Sequence, residues 1–180
     1  MKFALKELPT REDLLLLSKK IGPIDIDAVL LVLKFQKTAK DILQKGEKHF
    51  ASYGISMGKF SIMMLLLRNR KTEGLKPSEI ASQTGVTRAT VTGLIDGLEK
   101  SGYIRRTCAD SGDRREIIVC LTPAGLDFLE AMLPDHFRKV SVMMSGLNKE
   151  EKYVMLKSLE KLEETVNQYY PEKSQKATEK

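Results

Sequence analysis

Between Pro77 and Lys100 the chain carries two helical patterns with only Gly85, Val86 and Thr87 between them. No other feature narrows the fold as much. Two helices joined by about three residues, the link containing Gly, are the sequence form of a helix-turn-helix. Pro77 suits the first position of the helix "PSEIASQT", and Gly85 suits its end. Thr87 is a good N-cap for "RATVTGLIDGLEK", and Val86 and Val91 have the spacing of a hydrophobic staple. The second helix stops at Ser101–Gly102. The hydrophobic period then changes from helical to strand-like. "YIRRT" and "EIIVCL" read as strands joined by "CADSGD".

The second helix has two unlike faces. At roughly 100° per residue, Val91, Leu94, Ile95 and Leu98 share a core face. Ala89, Gly93 and Gly97 fall opposite, flanked by Thr90 and Thr92. A glycine inside a helix costs about 1 kcal/mol relative to alanine. What it offers is close approach, so that a nearly bare face can lie deep in a groove. The helix N-terminus presents free N–H groups and a positive dipole end to phosphate, and Arg88 stands in that first turn. Small residues also serve as packing surfaces between helices, and a charged turn is usually only solvated. The combination favours nucleic acid. The hairpin follows the helix at once, and its tip carries Asp113, Arg114 and Arg115. A basic hairpin beside a groove-sized helix is a winged helix, and arginine suits a narrow minor groove, where the potential is most negative.

The flanks are helical. Thr10 and Asp13 cap a helix in "PTREDLLLLSKKIG", which Gly22 and Pro23 stop. A long helix is expected from Ile24 to about Ser52, and another follows Ser56 with Phe60, Met63, Met64 and Leu67. "KTEGL" reads as a loop. Thr122–Pro123 opens a helix interrupted or kinked at Pro134, and Asn148 with Glu151 caps a last one to about Tyr170. The predicted fold is mainly α with a small β-hairpin wing: a winged helix-turn-helix core flanked by N- and C-terminal dimerisation helices. The segments are 1–53 (N-terminal helices, dimerisation), 54–121 (DNA-binding domain), 122–170 (C-terminal helices, dimerisation) and 171–180, a polar tail expected to be disordered.

Charge agrees with this division. The net charge is +6, and residues 54–121 hold 11 Lys/Arg against 7 Asp/Glu, so the middle is the more basic part. No apolar run approaches a membrane span and nothing resembles a signal peptide, so a cytoplasmic location is expected. The two cysteines, Cys108 and Cys120, form no C-x-x-C; no metal site or cofactor is expected. Cys120 reads as a buried thiol in a strand. Cys108, beside Arg105 and Arg106, has a redox-sensitive thiol as its alternative.

The run "LKPSEIASQTGVTRATVTGLIDGLEKSGYIRRTCADSGDRREIIVCLTPAG" resembles the DNA-binding core of the MarR family of bacterial and archaeal regulators. The most specific piece is "DRR" before "EIIVCLTPAG", which is similar to the family's Asp-x-Arg signature followed by an apolar strand and "LT-x-x-G". In outline the resemblance covers residues 10–168. It implies a triangular homodimer with terminal helices interlocked, a recognition helix from about Thr87 to Ser101 in the major groove, and a wing Arg115 in the flanking minor groove, oriented by Asp113. Arg114 is then a phosphate contact. Direct readout would rest on Arg88 to a guanine, Thr90 and Thr92 as hydrogen-bonding groups, and Ala89 against a thymine methyl; Gly93 leaves the groove face bare where relatives carry larger side chains. The family often binds small phenolic, aromatic or anionic effectors between the dimer helices and the winged domain. Phe35, His49, Met63, Met64 and Leu67 are the candidate pocket residues, although a Met and aromatic stripe is more often plain core, and His49 alone on a helix is expected to be exposed. Peroxide-sensing members use a reactive cysteine near the N-terminus. No cysteine precedes Cys108, which argues against that mode.

The apolar stripes of the terminal helices, Leu14–Leu17 and Val154, Leu156, Leu159, Leu162 and Val166, call for a two-fold partner. An intramolecular bundle is the alternative. An enzyme finds little support: His49 and His136 are far apart in sequence, and there is no phosphate loop or Gly-x-Ser-x-Gly. The expected function is a sequence-specific duplex-DNA-binding regulator, a repressor acting as a homodimer on a near-palindromic site and released by a small aromatic or anionic effector. The alternative is a winged helix used as a protein-interaction module. That use would not need Arg88, Arg114 and Arg115.

Overall fold

A computed structural model of the chain describes residues 7–70, 74–108 and 117–169. The elements run α1 (Arg11–Ile21), α2 (Ile26–Ala51), α3 (Met57–Arg68), α4 (Pro77–Thr84), α5 (Arg88–Lys100), β1 (Ile104–Cys108), β2 (Ile117–Leu121), α6 (Pro123–Met143) and α7 (Lys149–Tyr169). Among the described residues no helix is long and apolar enough to cross a membrane. The chain divides into two compact units, residues 1–129 and 130–180, and the division falls inside α6.

In the first unit every helix start but that of α4, where Lys76 gives no side-chain cap, has a side chain for its unpaired N–H groups. Thr10 and Asp13 form the expected capping box on α1: the Asp13 N–H donates to Thr10 Oγ1 at 3.2 Å, and the Thr10 N–H to Asp13 Oδ2 at 2.8 Å. α2 begins two residues later than Ile24, because Asp25 accepts from the Ala28 N–H at 3.0 Å and so takes the cap. Arg11 forks onto the Asp27 carboxylate and ties α1 to α2. Ser56 caps α3 at the Lys59 N–H, 3.3 Å away.

The core of this unit sits under the helix-turn-helix. α3 packs against α4, α5 and β2, and α5 packs against β1. Ile62, Met63, Ile80, Ile95 and Leu98 are fully buried at its centre. Gly85 takes φ +67, the left-handed conformation that turns the chain from α4 into α5.

β1 and β2 pair antiparallel from Ile104↔Leu121 to Cys108↔Ile117. Of the "KTEGL" stretch, read as a loop, Lys71, Thr72 and Glu73 lie outside the described residues, but its end is more than a loop. Leu75 exchanges two backbone hydrogen bonds with Val119, at 3.1 and 2.9 Å, and so adds a short third strand beside β2. Gly74 just before it sits at φ +124, where a Cβ would come within 2.6 Å of the Val119 carbonyl oxygen. The bridge therefore depends on glycine for conformation and for space. Periodicity has no means of finding a strand of one residue.

The "LT-x-x-G" run joins β2 to α6. The Thr122 hydroxyl donates to the Gly102 carbonyl at 2.6 Å and accepts from the Gly125 N–H at 3.1 Å. Thr122 thus caps α6 and also binds it to the end of α5. A Cβ on Gly125 would stand 2.1 Å from the Tyr103 carbonyl oxygen, so this glycine is set by close approach. Cys120, expected to be buried, is only half-buried, and Cys108 is exposed.

In the second unit, α7 carries the expected cap. Asn148 Oδ1 accepts from the N–H groups of Glu150 and Glu151 at 2.9 Å, and Glu151 returns a bond to the Asn148 N–H at 2.8 Å. α6, expected to be interrupted or kinked at Pro134, runs through it without interruption, although proline contributes no N–H at that turn. No residue of α7 is buried.

Candidate nucleic-acid interface

The site is built on α5. The Thr87 side chain accepts from the Thr90 N–H at 3.2 Å and fixes the first turn. Val91, Ile95 and Leu98 have no solvent exposure, which anchors the helix by one face. Thr87, Arg88, Ala89, Thr90, Thr92 and Gly93 are exposed, and an added Cβ on Gly93 would meet nothing within 4 Å. The predicted groove face from Thr87 to Gly93 is therefore one open surface. Its hydroxyls are partly committed. Thr92 Oγ1 donates to the Arg88 carbonyl at 3.0 Å, and the Thr87 and Thr90 hydroxyls share a hydrogen bond at 2.9 Å. These oxygens keep acceptor capacity toward a base, with less to donate. Gly97 departs from the expected open face: it is half-buried, with the end of Lys59 from α3 lying over it.

The other edge of α5 is held to the hairpin. Arg106 on β1 forms ion pairs with Asp96 and with Glu99, and its backbone N–H donates to Glu99 Oε1 at 3.2 Å. Its hydrogen bond to Asp96, with the attraction of Glu99, raises the Arg106 guanidinium further above its ordinary value, against the opposing effect of its partial burial. The cluster fixes β1 against the helix. It also offsets two carboxylates on a helix otherwise suited to polyanions. This pairing is not among the features expected from the sequence, although its signal is present there: two acids three residues apart on the helix, and an arginine two residues into the first strand. Asp113, Arg114 and Arg115 lie outside the described residues. The paired strands around them close at the Cys108↔Ile117 rung.

The five candidate pocket residues separate. Met63 is fully buried in the core. Met64 and Leu67 line an open groove of about 700 Å³ with Phe60, Leu65, Arg68 and Gln83; the last two are joined by a 2.8 Å hydrogen bond. Phe35 is 43% exposed on α2 and does not line that groove. His49, expected to be exposed, is half-buried, because its ring packs edge-on against Tyr53 with centroids 5.4 Å apart. Among the described residues no His, Cys, Asp and Glu cluster has the makings of a metal site.

The family model described as MarR family matches residues 55–117. The HTH-type transcriptional repressor YetL of Bacillus subtilis is 37% identical over 155 residues, covering 86% of this chain and 92% of YetL. An identity of that level over nearly the whole of both chains decides the question. The chain belongs to the MarR family. It is thereby a winged helix-turn-helix transcriptional regulator, and its family is not one of enzymes. The transcriptional repressor MprA of Escherichia coli K12 is 29% identical and covers 69% of each chain. The crystal structure of a Staphylococcus aureus MepR–DNA complex shares the fold with a TM-score of 0.63 at 23% identity, covering 73% of this chain and 93% of MepR. Within this MarR-family chain, the matched segment contains α3, α4, α5 and β1, the elements that present the open face of α5.

Proposed function

We propose that this MarR-family chain is a sequence-specific repressor that acts as a homodimer on a near-palindromic duplex-DNA site and is released by a small aromatic or anionic effector. The observation that carries the reading is the open face from Thr87 to Gly93 behind a capped helix N-terminus, backed by a fully buried opposite face. A helix so presented fits a major groove. Arg88 reaches a guanine, Ala89 a thymine methyl, and the Thr90 and Thr92 oxygens accept from base amino groups. Arg115 enters the adjacent minor groove with Asp113 orienting it, and Arg114 meets phosphate. Repression is supported by the similarity to YetL and MprA, both transcriptional repressors. The dimer is supported by the exposed large apolar side chains, of which all but Val86 and Ile117 lie outside the helix-turn-helix and its hairpin. A two-fold axis then places half-sites about 10 bp apart. The groove beside Met64 and Leu67 is apolar enough for an aromatic effector, whose binding would change the spacing of the two reading heads.

The test is a titration at fixed salt against DNA from the chain's own upstream region, beside unrelated DNA. Tight, palindrome-dependent binding by a dimer is the expected result, with Arg115→Ala weaker by about 1–3 kcal/mol. Unchanged affinity of Arg115→Ala would remove the minor-groove role. Equal weak binding to both DNAs would overturn the repressor reading and favour a protein-interaction module.

A further inference from the structure

We propose that Lys59, in the first turn of α3, is a second cation that grips the DNA backbone beside the recognition helix, and that Gly97 is there to seat it. This deepens the proposed function and rests on its DNA-binding reading.

The first turn of α3 crosses α5 closely. A Cβ on Gly58 would touch Leu94 Cδ1 at 3.1 Å, so the two helices meet at that glycine. The next residue, Lys59, reaches over α5. A Cβ on Gly97 would stand 2.8 Å from Lys59 Cε and 2.9 Å from its Nζ. No side chain larger than hydrogen leaves the ammonium where it is. A glycine in the interior of a helix is costly, and here its vacant side-chain volume is filled by a cation.

The position is on the edge of the open face. Gly93, one turn before Gly97, faces empty space. Thr90 and Gly97 border that face on the α3 side. Thr92 and Glu99 border it on the other side, where Arg106 engages Asp96 and Glu99. The two edges thus differ in charge. On one, an arginine is already paired with carboxylates; on the other, half-buried Lys59 makes no ion pair among the described residues. A lysine partly withdrawn from water without a counter-charge gains from an anion brought to it. A groove-bound α5 brings phosphates along both of its edges, and those on the α3 edge meet this ammonium. The chemistry is that of a point charge on a phosphate, without base recognition.

The test is a salt series on the full-length chain with its upstream DNA and with unrelated DNA, for wild type, Lys59→Gln, Lys59→Arg and Gly97→Ala. A phosphate contact predicts that Lys59→Gln lowers the slope of log affinity against log salt by about 0.9 and weakens both DNAs severalfold alike. Lys59→Arg restores the slope. Gly97→Ala displaces only the flexible end of a lysine, so it raises the melting temperature while weakening DNA binding. That opposition of signs is not available to a merely structural contact. An unchanged slope in Lys59→Gln, or a Gly97→Ala variant with unaltered DNA affinity, would overturn the proposal while leaving the repressor reading intact. Failure of the wild type to bind DNA in a salt-dependent way would overturn that reading, and this one with it.

Discussion

Single residues set the geometry of the site through backbone bonds rather than through side-chain bulk. Thr87 is an example: its oxygen satisfies the Thr90 N–H at the start of α5. Thr87→Val keeps the shape and loses that acceptor, so the chain should lose about 1 kcal/mol of stability, read as a lower midpoint in urea unfolding. Gly125 works by absence. A methyl there would stand 2.1 Å from the Tyr103 carbonyl oxygen, which is backbone and cannot swing away. Gly125→Ala should therefore cost about 1–3 kcal/mol by overpacking, seen in thermal melts, and it should loosen the hold of Thr122 on the end of α5. These two residues belong to the resemblance noted in the sequence. The structure supplies the physical reason for the "LT-x-x-G" run: one hydroxyl serves two elements, and one missing side chain lets them meet.

Elements are joined by polar clamps as well as by core. Arg106 ties β1 to α5, and Arg11 ties α1 to α2 through Asp27. The α1 end gives a pH-dependent outcome. The backbone hydrogen bond from Thr10 holds the Asp13 carboxyl below its usual range, and the hydrogen bond from Arg11 does the same for Asp27. Both carboxylates are thus more acidic folded than unfolded. Their contribution is present above about pH 4 and is lost as pH falls through the lower folded-state values. Protection of the Arg11–Ile21 amides against hydrogen exchange, taken relative to the intrinsic rate at each pH, should fall in acid before that of the buried Ile95 and Leu98 does. Equal loss of protection at both places would refute the clamp. Between elements, the Leu75–Val119 bridge shows why the hairpin is firmly seated: β2 has a neighbour on each side.

At the scale of the whole molecule, the distribution of apolar surface matters most. α7 has no buried residue, yet Met155, Leu159, Leu162 and Val166 recur at spacings of four, three and four along one helix face. A stripe of this kind gains by covering itself with a second copy. Leu162→Glu should shift the chain toward monomer in sedimentation and should weaken binding to a palindromic site far more than to a single half-site. A dimer that persists unchanged would place its interface elsewhere.

The sequence by itself determined the local plan: caps at Thr10, Ser56, Thr87 and Asn148, the turn at Gly85, the two faces of α5, and the switch from helical to strand period after Gly102. These are decided within a few residues by hydrogen-bonding groups and by periodicity, so a linear reading reaches them. Tertiary structure alone decided the rest. Gly97 lay on the predicted open face by angle, but Lys59 crosses to it from another helix. Leu75 became a strand only because Val119 arrived beside it. His49 was enclosed by an aromatic neighbour, Met63 entered the core, and Arg106 found two acids on the adjacent helix. Each of these depends on which elements come together in space, a matter of packing between distant segments that no periodicity along the chain encodes.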